Sequence, residues 1–155
     1  MVQIELLKNH PEHIKRLVDI WCDVLGKVWL PDFNIEKVIK NFENHLNSEN
    51  LPLTYIAFHE QLPVGMASLR VNDGIRPDLS PWLGSLVVDP AFQKRGIGEF
   101  LINAIKEKAK IMGFSKLYLF AFDPTIPDWY EKLGWKKIGI DQFKKHPVTV
   151  MEISI

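Results

Sequence analysis

The chain has a single cysteine, Cys22, among its 155 residues, so an intramolecular disulfide is excluded and packing alone must hold the fold. Net charge is lacking too, because nineteen Lys and Arg balance nineteen Asp and Glu. No global basic field exists to gather nucleic acid or an anionic membrane, and any anion site has to be local. No stretch approaches the roughly 18 apolar residues of a membrane span. Internal repeats, low-complexity tracts and linker-like Pro/Gly/Ser runs are also missing, which argues against a second domain. The opening Met1-Val2-Gln3-Ile4-Glu5 lacks the basic and apolar blocks of a signal peptide, making cytoplasmic residence the expectation. His10, His13, His45 and His59 show no ligand spacing, so no metal is expected.

What is present is the balance of a globular domain: 46% hydrophobic and 25% charged residues. A domain of this size buries roughly 68–70% of the surface its unfolded chain exposes, enough for a core without staples. One domain over residues 1–155 is expected.

Periodicity gives the order of elements. Residues 3–7 read as a strand. Pro11 suits a first helical position, and Ile14, Leu17, Val18, Trp21 and Leu25 recur at helical spacing until Gly26. Cys22, on that apolar face, reads as a buried structural thiol. A second helix follows Asn34, with Ile35, Val38, Ile39, Phe42 and Leu46 as its stripe. Strands are predicted over 54–59 and 64–71, joined by a hairpin turn at 60–63, and over 83–88 after a polar loop at 72–81. A third helix is expected over 98–112, with Phe100, Leu101, Ala104, Ile105, Ala109 and Met112 facing inward and Gly113 ending it. Then come a strand at 116–122, a short helix at 127–133, and strands at 135–140 and 149–155. The order implies an α/β or α+β sheet, with a right-handed parallel crossover between 83–88 and 116–122.

Chemistry concentrates where strand 83–88 gives way to the third helix, in Val88-Asp89-Pro90-Ala91-Phe92-Gln93-Lys94-Arg95-Gly96-Ile97-Gly98. The first N–H groups of a helix have no intrahelical partner, and its dipole places about half a positive charge there, so a phosphate fits. Glycine at 96 and 98 lets backbone approach a ligand, and Lys94 and Arg95 can add charge-assisted contacts. The dinucleotide fingerprint fails, because Leu101 stands where its third glycine belongs. The mononucleotide P-loop fails as well, because Gly98-Glu99-Phe100 replaces Gly-Lys-Ser/Thr. From the turn alone, close packing of a helix on a strand stays open as the other reading of the glycines.

The pattern Leu86-x-Val88-x-Pro90-x-x-Gln93-x-x-Gly96-x-Gly98 closely resembles the coenzyme A motif of the GCN5-related N-acetyltransferase (GNAT) superfamily. The resemblance runs on through Gly113 and strand 116–122 to Trp129-Tyr130-Glu131-Lys132-Leu133-Gly134-Trp135, similar to that family's Tyr-x-x-x-Gly-aromatic motif. It implies a mixed, mostly antiparallel sheet of about seven strands, with helices on both faces and a splayed parallel pair that takes the pantetheine arm. It further implies an acetyl-CoA-dependent N-acetyltransferase acting on a primary amine. Leu86, Val87 and Val88 would offer strand backbone to the cosubstrate; Gln93, Lys94, Arg95, Gly96, Ile97, Gly98 and Glu99 would form the pyrophosphate cradle. Tyr130 would be the acid that protonates the departing thiolate. Asp123, ending the second splayed strand, is a further catalytic candidate. The family's strand glutamate has no counterpart, since Gly84 and Ser85 stand there; deprotonation of the acceptor would run through waters to Asp123, Asp128, Asp73 or His146. Gly84 is also the expected weak point for a bulge that causes the splay.

The acceptor wall is expected from Trp29 and Trp82, with Trp21, Phe33 and the late loop 141–147 as further candidates, Trp21 reading first as core. A small-molecule or peptide amine is the expected partner, with a homodimer left open and neither nucleic acid nor membrane implied. A non-catalytic acyl-CoA sensor and a nucleotide-binding domain are the rival classes.

Overall fold

Alternating apolar strands and amphipathic helices build one seven-stranded sheet in the computed structural model, which describes residues 2–27, 33–122 and 125–155. The strands are β1 (Val2–Leu6), β2 (Leu53–His59), β3 (Leu62–Arg70), β4 (Trp82–Val88), β5 (Lys116–Ala121), β6 (Lys136–Phe143) and β7 (His146–Ser154). The helices are α1 (Ile14–Trp21), α2 (Ile35–Glu43), α3 (Ile97–Ile111) and α4 (Ile126–Lys132). Sheet order is β1-β2-β3-β4-β5-β7-β6, antiparallel throughout except for the β4–β5 pair. The expected mixed sheet and its single parallel crossover are both present.

Both faces of the sheet are covered. Leu53, Ala57, Val64, Ala67 and Leu69 of β2 and β3 bury against α3 and α4, while Ile56, Phe58 and Met66 of the same strands bury against α1 and α2. This period-two sharing explains why the central strands read as almost continuous apolar runs. On α1, Ile14, Leu17 and Val18 are buried, each contributing roughly 1.5–3 kcal/mol relative to exposure. Helix α1 opens on a 3-10 turn, Pro11–His13, and closes through a π-helical turn, Cys22–Gly26. Asn34 caps α2, its Oδ1 accepting from Glu36 N at 2.9 Å and Lys37 N at 3.3 Å, an arrangement usually contributing about 1 kcal/mol.

Several expectations shift. The β2–β3 turn is the two residues Glu60 and Gln61, both left-handed (φ 49 and 73), while Leu62 and Pro63 already lie in β3. Residues 141–147 are strand rather than loop, turning at Lys144 and Lys145 with φ 47 and 72; a polar edge strand has the same composition as a loop. Phe100, expected inward, is 54% exposed, because the buried stripe of α3 runs through Ile97, Leu101, Ile102, Ile105 and Ala109. Trp82 has no exposed surface at all: it packs with Tyr118 and Phe120, and its Nε1 donates to Leu79 O at 2.7 Å. It is a core residue and cannot face an acceptor. No helix among the described residues is long and apolar enough to cross a membrane.

Candidate active site

Strands β4 and β5 part almost as soon as they meet. Their only paired register is Trp82 with Tyr118, backed by Tyr118 N donating to Pro81 O at 3.0 Å. The cause lies on the other side of β4. Against β3, Met66 faces Val87 and Ser68 faces Gly84, so Ser85 and Leu86 share the space opposite Ala67. That extra residue is a β-bulge, and Ser85 takes φ 50 to make it. The bulge was expected near Gly84 and falls one residue later. Beyond it the backbone of β4 faces a gap instead of β5.

Past Val88 the chain is pinned before it enters α3. Asp89 N donates to Val64 O at 2.7 Å, and the Asp89 side chain accepts from Ala91 N at 2.9 Å and from Arg16 Nη2 at 2.9 Å. Arg16 Nε also donates to Pro63 O at 2.9 Å, tying α1 to this corner. Gln93 Nε2 reaches back to Val88 O at 3.0 Å. Lys94 and Gly96 are then left-handed, φ 65 and 80, and α3 starts with no side-chain cap. A Cβ on Gly96 would meet nothing within 4 Å, so its glycine serves the backbone turn. The early amides of α3 lack side-chain partners, in an exposed setting that suits an anion. Arg95 stacks its guanidinium over Phe92 at 5.1 Å. Lys94 and Glu99 are exposed, whereas Val87 and Ile97 bury their side chains and leave only backbone for a ligand.

The gap between the strands holds a cavity of ≈ 200 Å³. Gly84, Ser85 and Leu86 line it from β4, and Leu119, Phe120 and Ala121 from β5, with Phe122 just beyond. Trp21, Leu25, Arg70, Asp73, Ile126, Tyr130 and Phe143 complete it. Tyr130 comes from α4, whose C-terminal turn sets it: Trp135 N donates to Tyr130 O at 3.1 Å, with Gly134 at φ 100. The ring sits edge-on to Trp129 and Trp135, and burial pushes the phenol well above the usual tyrosine range, so it stays protonated. A second hollow of ≈ 520 Å³ shares Trp21, Arg70, Ser85 and Phe143 with the first and extends past Asn41, Phe42 and His45. His45 is buried in a chain with Thr54 and Ser68, its Nδ1 2.8 Å from Thr54 Oγ1. Burial, then the nearby Arg70 charge, pulls it down to about 3.

Tyr130 and Leu86 line one cavity; the turn from Gln93 to Gly98 is not part of that lining, and its Gly98 lies beside Trp129, the neighbour of Tyr130. Asp123 and Trp29 lie outside the described residues. Trp21, read first as core, lines both hollows. Asp128 is exposed and paired with Lys137 at 3.4 Å, away from the cavity lining. The pair of Arg70 and Asp73 was the feature hardest to foresee: Arg70 Nη1 donates to Asp73 Oδ1 at 2.8 Å and Nη2 to Ser85 Oγ at 2.7 Å. A Cβ on Gly84 would collide with this guanidinium, so the glycine in an apolar strand was its only sequence trace. Donor atoms of His10, Glu12 and His13 come within 4.8 Å of one another, a grouping that their spacing did not suggest.

Comparison with known proteins accords with this geometry. A search of curated proteins found no match. Among solved structures, the chain is similar to an aminoglycoside 6'-acetyltransferase type Ii, at 24% identity over 98% of this chain and 96% of that one, with TM-score 0.74. It is also similar to a ribosomal-protein-alanine N-acetyltransferase from Brucella melitensis, at 16% identity, 100% and 99% coverage and TM-score 0.77. A third is a PaiA N-acetyltransferase from Thermoplasma acidophilum in complex with coenzyme A, at 16% identity, 100% and 99% coverage and TM-score 0.69. At these identities the likeness is one of fold. The model of the acetyltransferase (GNAT) family matches residues 14–135, most of the chain, and the protein therefore belongs to the GNAT acetyltransferase family.

Proposed function

We propose that residues 1–155 form a single N-acetyltransferase domain that passes the acetyl group of acetyl-CoA to the primary amine of a small molecule or peptide. The observation that carries this reading is the opened β4–β5 gap, with the uncapped start of α3 beyond one end and the buried Tyr130 hydroxyl on its wall. The amides from Gln93 to Gly98 would hold the pyrophosphate, Lys94 and Arg95 adding charge, and β4 backbone at Leu86 and Val88 would bond the amides of the pantetheine arm.

The acceptor must lose a proton to become a nucleophile. Its nitrogen then bonds to the thioester carbon, the carbon–sulfur bond breaks, and the sulfur needs a proton. Val88 N–H would polarise the carbonyl oxygen. Tyr130, neutral because burial disfavours its phenolate, donates its proton to the sulfur and recovers one from the new amide nitrogen. Apolar side chains dominate the lining, which favours an acceptor with an apolar body behind its amine. A cytoplasmic setting agrees with the lone, buried Cys22.

The test is thiol release from acetyl-CoA across amines, amino acids, peptides and aminoglycosides, with acetyl-CoA binding measured in parallel by calorimetry. Turnover with one amine class is the expected result. Binding without thiol release for any acceptor would replace the enzyme with an acyl-CoA sensor. Tighter binding of ATP or NAD than of acetyl-CoA would point to a nucleotide-binding domain.

A further inference from the structure

An amine acceptor arrives mostly as ammonium at neutral pH, so a transferase of this kind needs a group inside the cavity that removes a proton. The strand position expected to supply it holds Ser85, whose Oγ accepts from Arg70. Among the other described candidates, Asp128 is exposed and bonded to Lys137, and His146 lines neither hollow. Among the described residues one carboxylate lines the cavity, and it comes from the loop after β3.

Resting on the transferase reading above, we propose that Asp73 is the catalytic base, receiving the acceptor ammonium at its Oδ2 and removing one proton, while Arg70 fixes the carboxylate through Oδ1. Three observations carry this. Oδ1 accepts from Arg70 Nη1 at 2.8 Å, whereas Oδ2 makes no hydrogen bond among the described residues. The side chain is 16% exposed and lines the cavity. The carboxylate also lies against β4 beside the bulge: a Cβ on Gly84 would stand 3.0 Å from Oδ2 and 3.1 Å from Oδ1, both tight contacts, and would collide with Arg70 Nη1. Glycine at 84 therefore makes room for the pair on the wall of the opened strand.

The electrostatics are simple. Arg70 of β3 is the charged group against Asp73. Strand β4 brings Gly84, Ser85 and apolar side chains, β5 and the α1 side bring apolar ones, and α4 brings neutral Tyr130. His45, neutral, stands near Arg70. Burial lifts the Asp73 carboxyl above the ordinary carboxylate range, and Arg70 offsets part of that lift. A desolvated carboxylate attracts ammonium strongly and has raised proton affinity, the two properties a base for this step needs. The proton balance closes: of three ammonium hydrogens one goes to Asp73 and then to water, one replaces the proton Tyr130 gives to the sulfur, and one remains on the amide.

The experiment compares the parent with Asp73→Asn and Asp73→Glu, using 2-phenylethylamine, a glycyl-phenylalanine amide, spermidine and kanamycin as acceptors, and following the one turned over fastest. With Asp73→Asn, kcat/KM at neutral pH should fall about 10²- to 10⁴-fold, while acetyl-CoA affinity by calorimetry is unchanged. The residual activity should then climb about tenfold per pH unit toward the acceptor's own pKa, as solution supplies unprotonated amine. The parent, starting from ammonium and carboxylate, should have a nearly flat profile. Asp73→Glu should keep that flat profile at reduced rate. A loss by one uniform factor at every pH, or Asp73→Asn activity within about threefold of the parent, overturns the assignment. If Asp73→Asn fails to fold, a climbing profile in Asp73→Glu overturns it instead. No turnover by the parent with any of the four amines, coenzyme A still binding, overturns the transferase reading and this inference with it.

Discussion

Replacing Tyr130 with Phe separates packing from chemistry, because this side chain has both roles and only one depends on the hydroxyl. The ring is 7% exposed and packs edge-on to Trp129 and Trp135, with centroids 4.9 and 5.7 Å away; Phe keeps all of it. The hydroxyl makes no hydrogen bond among the described residues, and the only cause of its raised pKa is burial. Its removal should leave no orphaned partner, so stability should change by less than about 1 kcal/mol. Loss of a positioned acid should instead lower kcat by about 10²- to 10⁴-fold, or about 3–5 kcal/mol in the barrier. Because the phenol titrates above its ordinary value, it stays protonated over the assay range, and the ratio of variant to parent rates should be constant from about pH 6 to 9. Steady-state thiol release, melting curves and acetyl-CoA calorimetry supply the three readouts. Equal kcat in variant and parent would remove the acid role; a large fall in melting temperature would mean that the hydroxyl has a structural partner.

Gly98→Glu should abolish acetyl-CoA binding in calorimetry while the melting curve stays close to that of the parent. A Cβ there meets Trp129 at 3.4 Å, an ordinary contact, but the carboxylate enters the phosphate cradle. His45→Gln should flatten the pH dependence of stability. The folded-state pKa of His45 is depressed to about 3, so its contribution is present above the unfolded value of about 6.5 and is lost as pH falls, by about 1.4 kcal/mol per unit at most. Chemical denaturation from about pH 7 to 5 reads this slope, and an identical slope in the variant would contradict the assigned burial effect. Trp82→Ala should cost about 3–5 kcal/mol in urea denaturation; a near-neutral result would return Trp82 to the surface.

The order of helices and strands and the phosphate-compatible turn from Gln93 to Gly98 were legible in the residues, because each depends on local spacing: period two or 3.6, a missing Cβ; Tyr130 was singled out by family resemblance instead. Boundaries failed where composition is ambiguous, as in the polar edge strands around Lys144 and Lys145. Packing direction failed at Phe100 and Trp82, because one residue's rotation on a helix, or the depth of one strand end, is decided by what covers it.

The sequence by itself determined a turn that suits a phosphate, since backbone conformation and helix polarity are local, while the donor came from the turn's resemblance to the family's coenzyme A motif. Only the tertiary structure decided where β4 and β5 part and which carboxylate reaches the space between them. That gap depends on register across three strands, and Asp73 lines it while Arg70 bonds both Asp73 and Ser85, the latter fifteen residues further along the chain. Long-range pairing of this kind leaves almost no trace in local spacing; here its one mark was a glycine, Gly84, in a strand that otherwise had no use for it.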